Sequence, residues 1–89
     1  MAALMQVDIV SPEKILFSGE AEGVRCRTTE GDIMFLAGHA PFLGALGTAE
    51  LAVALSDGSH LRYDVSRGFV EVRDNAVIVL TDHAEELTA

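Results

Sequence analysis

Apolar and polar residues alternate along most of this chain, which is the two-residue period of a half-buried β-strand. The alternation is clear at residues 6–9 and again at 21–28. Turn-forming residues separate such runs. Asp57-Gly58 lies between residues 51–55 and 60–65, and an Asp-Gly pair between alternating runs favours a β-hairpin. No helical period is sustained before the last few residues, so the pattern predicts a chain of short strands.

The second half of the chain repeats this succession of strands and turns. Phe69–Val72 and Ala76–Leu80 flank Asp74-Asn75, two residue types that tolerate the positive φ of a tight hairpin turn. Counted along the whole chain, the runs indicate about eight to ten strands on a single core. We therefore predict an all-β fold, an antiparallel β-sandwich or flattened barrel.

The last residues depart from the strand pattern. Asp82 can cap a helix, and Glu85 follows three residues later as a capping-box partner. We therefore expect a short helix to start at the C-terminus. Because 89 residues are too few for two cores, the chain is predicted to be one domain.

Two predicted strands carry apolar residues on both faces. In Leu51–Leu55 the larger side chains are expected to face the core while Ala52 and Ala54 face outward, and in Ala76–Leu80 both faces are apolar. Hydrophobic residues make up 49% of the chain, which is high for a domain with so large a surface fraction. We infer that a partner covers part of this surface. The alternative is a strand that is packed on both sides within the fold.

Charge and cysteine content argue against several functions. The chain has 6 Lys+Arg and 14 Asp+Glu, a net charge of −8, so no nucleic-acid partner is expected. The single cysteine, Cys26, cannot form an internal disulfide, which favours a reducing, cytoplasmic setting, and we expect it to be a small core residue. No apolar run approaches the roughly 20 residues of a membrane span, and the N-terminus lacks the features of a signal peptide.

Residues that could carry chemistry do not cluster in the sequence. His39, His60 and His83 lie in separate segments without metal-binding spacing, and no glycine motif for phosphate binding is present. A metal site or a Cys-His pair would depend on tertiary coincidence. We therefore predict no catalytic, cofactor-binding or metal-binding residue, and an enzyme is the least favoured class of protein.

A glycine, a histidine and a proline interrupt one of the most apolar segments. Residues 31–36 are predicted to form a buried strand, Gly38 permits a turn that a side chain would obstruct, and Pro41 ends the ladder of hydrogen bonds. His39 stands at the apex of this corner. Its imidazole can hold the turn by bonding to nearby backbone, or it can contact a partner.

The order of these motifs gives the chain its most specific resemblance. The stretch VDIVSPEKILFSGEAEGVRCRTTEGDIMFLAGHAPFLGAL, followed later by SRGFVEVRDNAVIVLTDHAE, resembles the N-terminal β-sandwich domain of the epsilon subunit of F-type ATP synthase. The resemblance runs from about Val7 to His83. Ala37 and Arg67 stand where that family usually has proline and glycine, so we expect the two turns that contain them to differ locally.

The resemblance implies a non-catalytic rotor subunit without a cofactor, which links the gamma subunit to the membrane-embedded c-ring. It implies that polar c-ring loops, which typically carry an arginine in this family, contact the turn Glu30, Gly31 and Asp32 and the neighbouring corner residue His39. It also implies that gamma covers an apolar face of the domain. The residues expected on that face are Ala40, Pro41, Phe42, Leu43, Val77 and Val79.

The resemblance also implies limits for the domain. Residues 1–82 would form the β-sandwich, and 83–89 would be the stub of the helical hairpin that is typical of the family. In the family that hairpin inhibits ATP hydrolysis and in some members binds ATP, so neither property, and no nucleotide, is expected here. The expected location is peripheral, at the cytoplasmic face of the plasma membrane. The alternative hypothesis is a free-standing β-sandwich module that binds an unrelated protein through the same apolar face.

Overall fold

The computed structural model of the chain describes residues 3–87, and they form eight β-strands. The strands are β1 (Met5–Val10), β2 (Ile15–Ala21), β3 (Gly23–Thr28), β4 (Gly31–Leu36), β5 (Phe42–Leu46), β6 (Ala49–Ala54), β7 (His60–Arg73) and β8 (Ala76–Leu87). Within this part of the chain no helix is long and apolar enough to cross a membrane.

The strands form two layers that share β7 and β8. Sheet 1 has the order β2-β1-β8-β7-β5, and sheet 2 has the order β4-β3-β6-β7-β8. The first half of β7 pairs with β6 and the second half pairs with β5, so one long strand passes from one layer to the other. The predicted all-β sandwich is confirmed. One pairing differs from the predicted antiparallel arrangement, because β1 and β8 run parallel. A parallel pair is possible here since no hairpin joins these two strands.

The passage of β7 between the layers depends on a bend at Arg67 and Gly68. Their φ angles are 47° and 152°, and a Cβ atom on Gly68 would lie 1.9 Å from the carbonyl oxygen of Leu80. The hydroxyl of Thr81 lies 2.9 Å from the carbonyl oxygens of Ser66 and Arg67 and 3.0 Å from that of His83, and its single proton is donated to one of the three at a time. The sequence pattern predicted two strands here, whereas the structure has one bent strand. Arg67 adopts a conformation that glycine would adopt freely.

The core lies between the two layers and is filled by alternate residues of nearly every strand. Its largest fully buried side chains are Tyr63, Phe35, Met5, Ile9, Leu51, Val7, Val24, Val53, Val65, Val70, Val72 and Val77. Cys26 is buried among them, as predicted, and burial raises the pKa of its thiol to about 11, with a smaller contribution from the charge of Asp32. The thiol is therefore protonated and unreactive at neutral pH.

The predicted C-terminal helix is wrong. Residues 83–87 continue β8 and pair with residues 62–66 of β7, and Ala84 is buried in the sandwich. The local capping signals at Asp82 and Glu85 are outweighed by the backbone ladder that the neighbouring strand offers. The sandwich therefore extends through Leu87 rather than ending at residue 82, and residues 88 and 89 lie outside the described part of the chain.

Candidate interaction surfaces

The outer surface of sheet 1 presents several exposed apolar side chains, with Glu71 and Asp8 among them. Phe69 on β7 lies opposite Leu80 on β8, and Leu80 lies beside Val10 on β1, so these three side chains share one face. Phe69 is 57% exposed and Leu80 is 52% exposed. We call this surface the apolar face. It consists of Val10, Ile15, Leu43, Phe69, Ile78 and Leu80.

The apolar face ends in a groove at the bend of the sandwich. The groove encloses about 330 Å³ between the β1–β2 turn, with Ser11 and Pro12, and the bend, with Gly68 and Thr81. Phe69, Leu80 and Val10 from the apolar face also line the groove, together with Asp82. A cluster of exposed apolar side chains, here Val10, Phe69 and Leu80, is typical of a site that another protein covers.

The residues that the sequence predicted for a gamma contact divide into three groups. Ala40, Pro41 and Leu43 are exposed, and Leu43, at 71% exposed, belongs to the apolar face. Phe42 is half-buried, because its ring packs against the core at 5.4 Å from the ring of Phe35. A partner can therefore reach the first three directly, whereas Phe42 mainly supports the fold.

The prediction that Val77 and Val79 contact gamma is wrong. Both side chains are 0% exposed and point into the core, where Val77 lies opposite Val72 and Val79 opposite Val70. A partner cannot contact them in the folded domain. The outward residues of this strand are Ile78 and Leu80, and no sequence signal distinguished the two faces, because both are apolar.

The turn between β3 and β4 is organised by Thr28. Its hydroxyl accepts a hydrogen bond from the backbone N–H of Glu30 at 3.1 Å and donates one to the carbonyl oxygen of Gly31 at 3.0 Å. Gly31 has a φ of 123°, which explains the glycine. Arg27 donates two hydrogen bonds to Asp32, at 2.8 and 3.3 Å.

Asp32 and Glu30 therefore differ in what they can offer a partner. The hydrogen bonds from Arg27, and then its positive charge, hold the pKa of the Asp32 carboxyl below its usual value. The side chain of Glu30 is exposed and has no hydrogen bond or ion pair with any described residue. Glu30 is thus the carboxylate of this turn that is available to a cation on another chain.

The imidazole of His39 is held by contacts with neighbouring residues of the corner at residues 37–41. Its Nδ1 lies 2.6 Å from the carbonyl oxygen of Ala40, a contact that makes this nitrogen the donor, and its ring packs edge-on against Phe35 at 4.9 Å. The structure thus supports the prediction that the imidazole bonds to nearby backbone. Gly31 begins β4 and His39 follows the end of β4, so about 17 Å of strand separates them. His39 therefore lies beyond the opposite end of β4 from the Glu30–Asp32 turn, and its contact with the c-ring stays a prediction.

No group of three His, Cys, Asp or Glu side chains that could hold a metal ion occurs among residues 3–87. What the described residues offer another molecule is the apolar face and the acidic β3–β4 turn. A two-layered β-sandwich with such surfaces is a protein-interaction domain. The profile of the family described as "ATP synthase, Delta/Epsilon chain, beta-sandwich domain" matches residues 4–87, and the chain belongs to this family.

Individual relatives agree with this assignment. The chain is 41% identical over 83 residues to an ATP synthase epsilon chain of Desulforudis audaxviator, a match that covers 93% of this chain and 60% of the relative. It is also 41% identical over 76 residues to an ATP synthase epsilon chain of Chlorobaculum tepidum, covering 85% of this chain and 86% of the relative.

A solved structure shows the same fold in an assembled enzyme. The chain superimposes with a TM-score of 0.90 and 25% identity on a chain of the Euglena gracilis mitochondrial ATP synthase, in a complex of OSCP, F1 and the c-ring. The match covers 97% of this chain and 55% of that chain.

Proposed function

We propose that this chain is a non-catalytic subunit of the central stalk of an F-type ATP synthase, where it links the gamma subunit to the c-ring and transmits rotation between them. The observation that carries the proposal is the apolar face, found on a domain of the delta/epsilon family. Membership of ATP synthase implies association with a membrane through the complex. We place the domain at the cytoplasmic face of the plasma membrane.

The apolar face is the proposed contact with gamma. Its leucine and phenylalanine side chains are 52–71% exposed, so burial of the exposed part by a partner would contribute about 1–2 kcal/mol each. Ala40, Pro41 and Leu43 extend this contact towards the corner at the end of β4. Phe42 supports the contact indirectly, because its half-buried ring packs against the core.

The acidic turn between β3 and β4 is the proposed contact with the c-ring. Glu30 is the residue that can meet an arginine of a c-ring loop, since Asp32 is already engaged by Arg27. Exposed ion pairs of this kind steer and orient association more than they add affinity. We therefore expect Glu30→Gln to slow association with the c-ring and to weaken its salt dependence more than Asp32→Asn does.

The experiment that tests the gamma contact is calorimetric titration of the domain into purified gamma subunit. We expect wild type to bind with a negative heat-capacity change, because apolar surface is buried. Leu80→Asp should lower the affinity by more than about 30-fold, since it removes about 1–1.5 kcal/mol of apolar burial and adds a carboxylate to be desolvated.

Met34→Asp is the matched control. Met34 is 46% exposed on the outer surface of sheet 2, and it should tolerate the same substitution without loss of gamma binding. Equal losses in both variants would show that added charge, and not the apolar face, weakens the complex. A folded wild-type domain that does not bind gamma would contradict the proposal and favour a free-standing protein-binding module.

A further inference from the structure

One side chain connects three separate segments at the end of the sandwich where β7 turns into β8. The amide oxygen of Asn75 accepts a hydrogen bond from the backbone N–H of Gly38 at 3.0 Å, and its amide nitrogen donates one to the carbonyl oxygen of Leu4 at 2.9 Å. The backbone carbonyl of Asn75 accepts a third hydrogen bond from the N–H of Gln6 at 3.2 Å. The hairpin turn, the corner before β5 and the start of β1 therefore meet at this residue.

The chemistry of this position requires asparagine. Asn75 has a φ of 60°, a conformation that glycine, asparagine and aspartate adopt more readily than other residues. Glycine would satisfy the backbone but would make neither side-chain bond. Aspartate would accept from Gly38 but could not donate to Leu4. Since one bonding partner is an N–H and the other a carbonyl, they also determine which way the amide faces.

The corner at residues 37–41 has no other hydrogen bond that reaches a distant described segment. The N–H of His39 bonds to the carbonyl oxygen of Leu36, and the ring of His39 bonds to the carbonyl oxygen of Ala40, so both bonds stay within the corner. The bond from Gly38 to Asn75 is the one that ties this corner to another part of the chain.

We propose that Asn75 is a positioning residue that holds the corner at residues 37–41 in the conformation in which it contacts the partner. Pro41 lies in this corner and Leu43 follows it on β5, so the position of the corner sets where these exposed side chains meet the partner. The inference rests on the proposed gamma contact. The hydrogen bonds of Asn75 do not depend on that contact, so they can be tested separately.

The test uses the whole domain with Asn75→Gly, and Asp74→Gly as the matched control. Asp74 lies in the same turn with a φ of 52°, and its side chain makes no hydrogen bond to a described residue. Both variants accept the backbone conformation of the turn, so both should fold. Amide hydrogen exchange at Gly38, followed by NMR, reports whether the corner is held, and titration into gamma reports its contribution to binding.

We expect Asn75→Gly to exchange the Gly38 amide on the order of tenfold faster and to bind gamma on the order of tenfold more weakly, while Asp74→Gly changes neither. Asn75→Asp should protect Gly38 as wild type does, because its carboxylate still accepts this bond. Unchanged exchange at Gly38 in Asn75→Gly would refute the connection itself. Faster exchange with unchanged affinity for gamma would refute the positioning role.

The two proposals fail in different ways. If wild type does not bind gamma, the proposed function fails, and the positioning role towards gamma fails with it. The exchange of the Gly38 amide would still show whether Asn75 holds the corner. If wild type binds gamma and Asn75→Gly binds equally well, the proposed function stands and only the positioning role is lost.

Discussion

Replacing Gly68 with alanine tests the bend on which the two-layered fold depends. Gly68 has a φ of 152°, a conformation that residues with a side chain rarely adopt. The added Cβ would lie 1.9 Å from the carbonyl oxygen of Leu80 and 2.7 Å from the Cα of Thr81. Both atoms belong to the backbone of β8, so the contact cannot be relieved by rotation of a side chain.

The loss of folding stability in Gly68→Ala can be worked out from the backbone angle and from the hydrogen bonds that the added Cβ would disrupt. The unfavourable φ contributes about 1–3 kcal/mol. Moving the strands apart by more than about 1 Å would disrupt the ladder between Gly68 and Thr81, where each lost hydrogen bond costs about 0.5–1.5 kcal/mol. If two such bonds are lost, we expect a total loss of about 2–6 kcal/mol. This is a large part of the roughly 5–15 kcal/mol that stabilises a domain of this kind.

The assay is urea unfolding of three alanine variants followed by circular dichroism. A Cβ atom on Gly47 would have no neighbouring atom within 4 Å, and Gly47 has no positive φ, so Gly47→Ala should stay within about 0.5 kcal/mol of wild type. Gly58 has open space but a φ of 90°, so Gly58→Ala should cost about 1–2 kcal/mol. Gly68→Ala should be the least stable, with a Tm lower by at least about 8 °C.

The order of the three variants decides whether the reasoning is right. If Gly68→Ala were as stable as Gly47→Ala, the close approach of β7 and β8 would not limit the residue at this position. If Gly68→Ala and Gly58→Ala lost the same stability, the backbone angle alone would account for the effect and the contact with Leu80 would be irrelevant.

Three further predictions concern single side chains. Val79→Asp should unfold the domain, whereas Leu80→Asp should leave its Tm nearly unchanged, because Val79 is 0% exposed and Leu80 is 52% exposed; thermal unfolding of both variants checks this. Arg27 lowers the pKa of Asp32 in the folded state, so the stability from this ion pair should be present at pH values well above 3.8. It should be lost as the pH falls through 3.8 towards the lower pKa of the folded state. The free energy of unfolding of Asp32→Asn should accordingly fall less steeply with decreasing pH over that range than that of wild type. An identical pH dependence in the two proteins would contradict this prediction. Cys26 should react with a thiol reagent at pH 8 only after unfolding, because burial raises the pKa of its thiol to about 11; rapid labelling of the folded protein would show an opening of the core.

Alternation in the sequence was sufficient to identify most strands, because a sandwich surface must be apolar inside and polar outside. The hairpin at Asp74-Asn75 was also predictable, and both residues have positive φ in the structure. The apolar surface was expected from composition, and the acidic turn from the family resemblance. The residues of the acidic turn could not be ranked, since the engagement of Asp32 by Arg27 depends on the pairing of β3 with β4.

The sequence by itself determined the strand content, the core-forming residue types and the family, because these depend on local periodicity and on the order of motifs. Only the tertiary structure decided which side of β8 faces outward. Both sides are apolar, and pairing with β7 buries Val77 and Val79 while leaving Ile78 and Leu80 outside. The tertiary structure also decided that the last residues form a strand, because hydrogen bonds to a neighbouring strand outweigh a local capping signal.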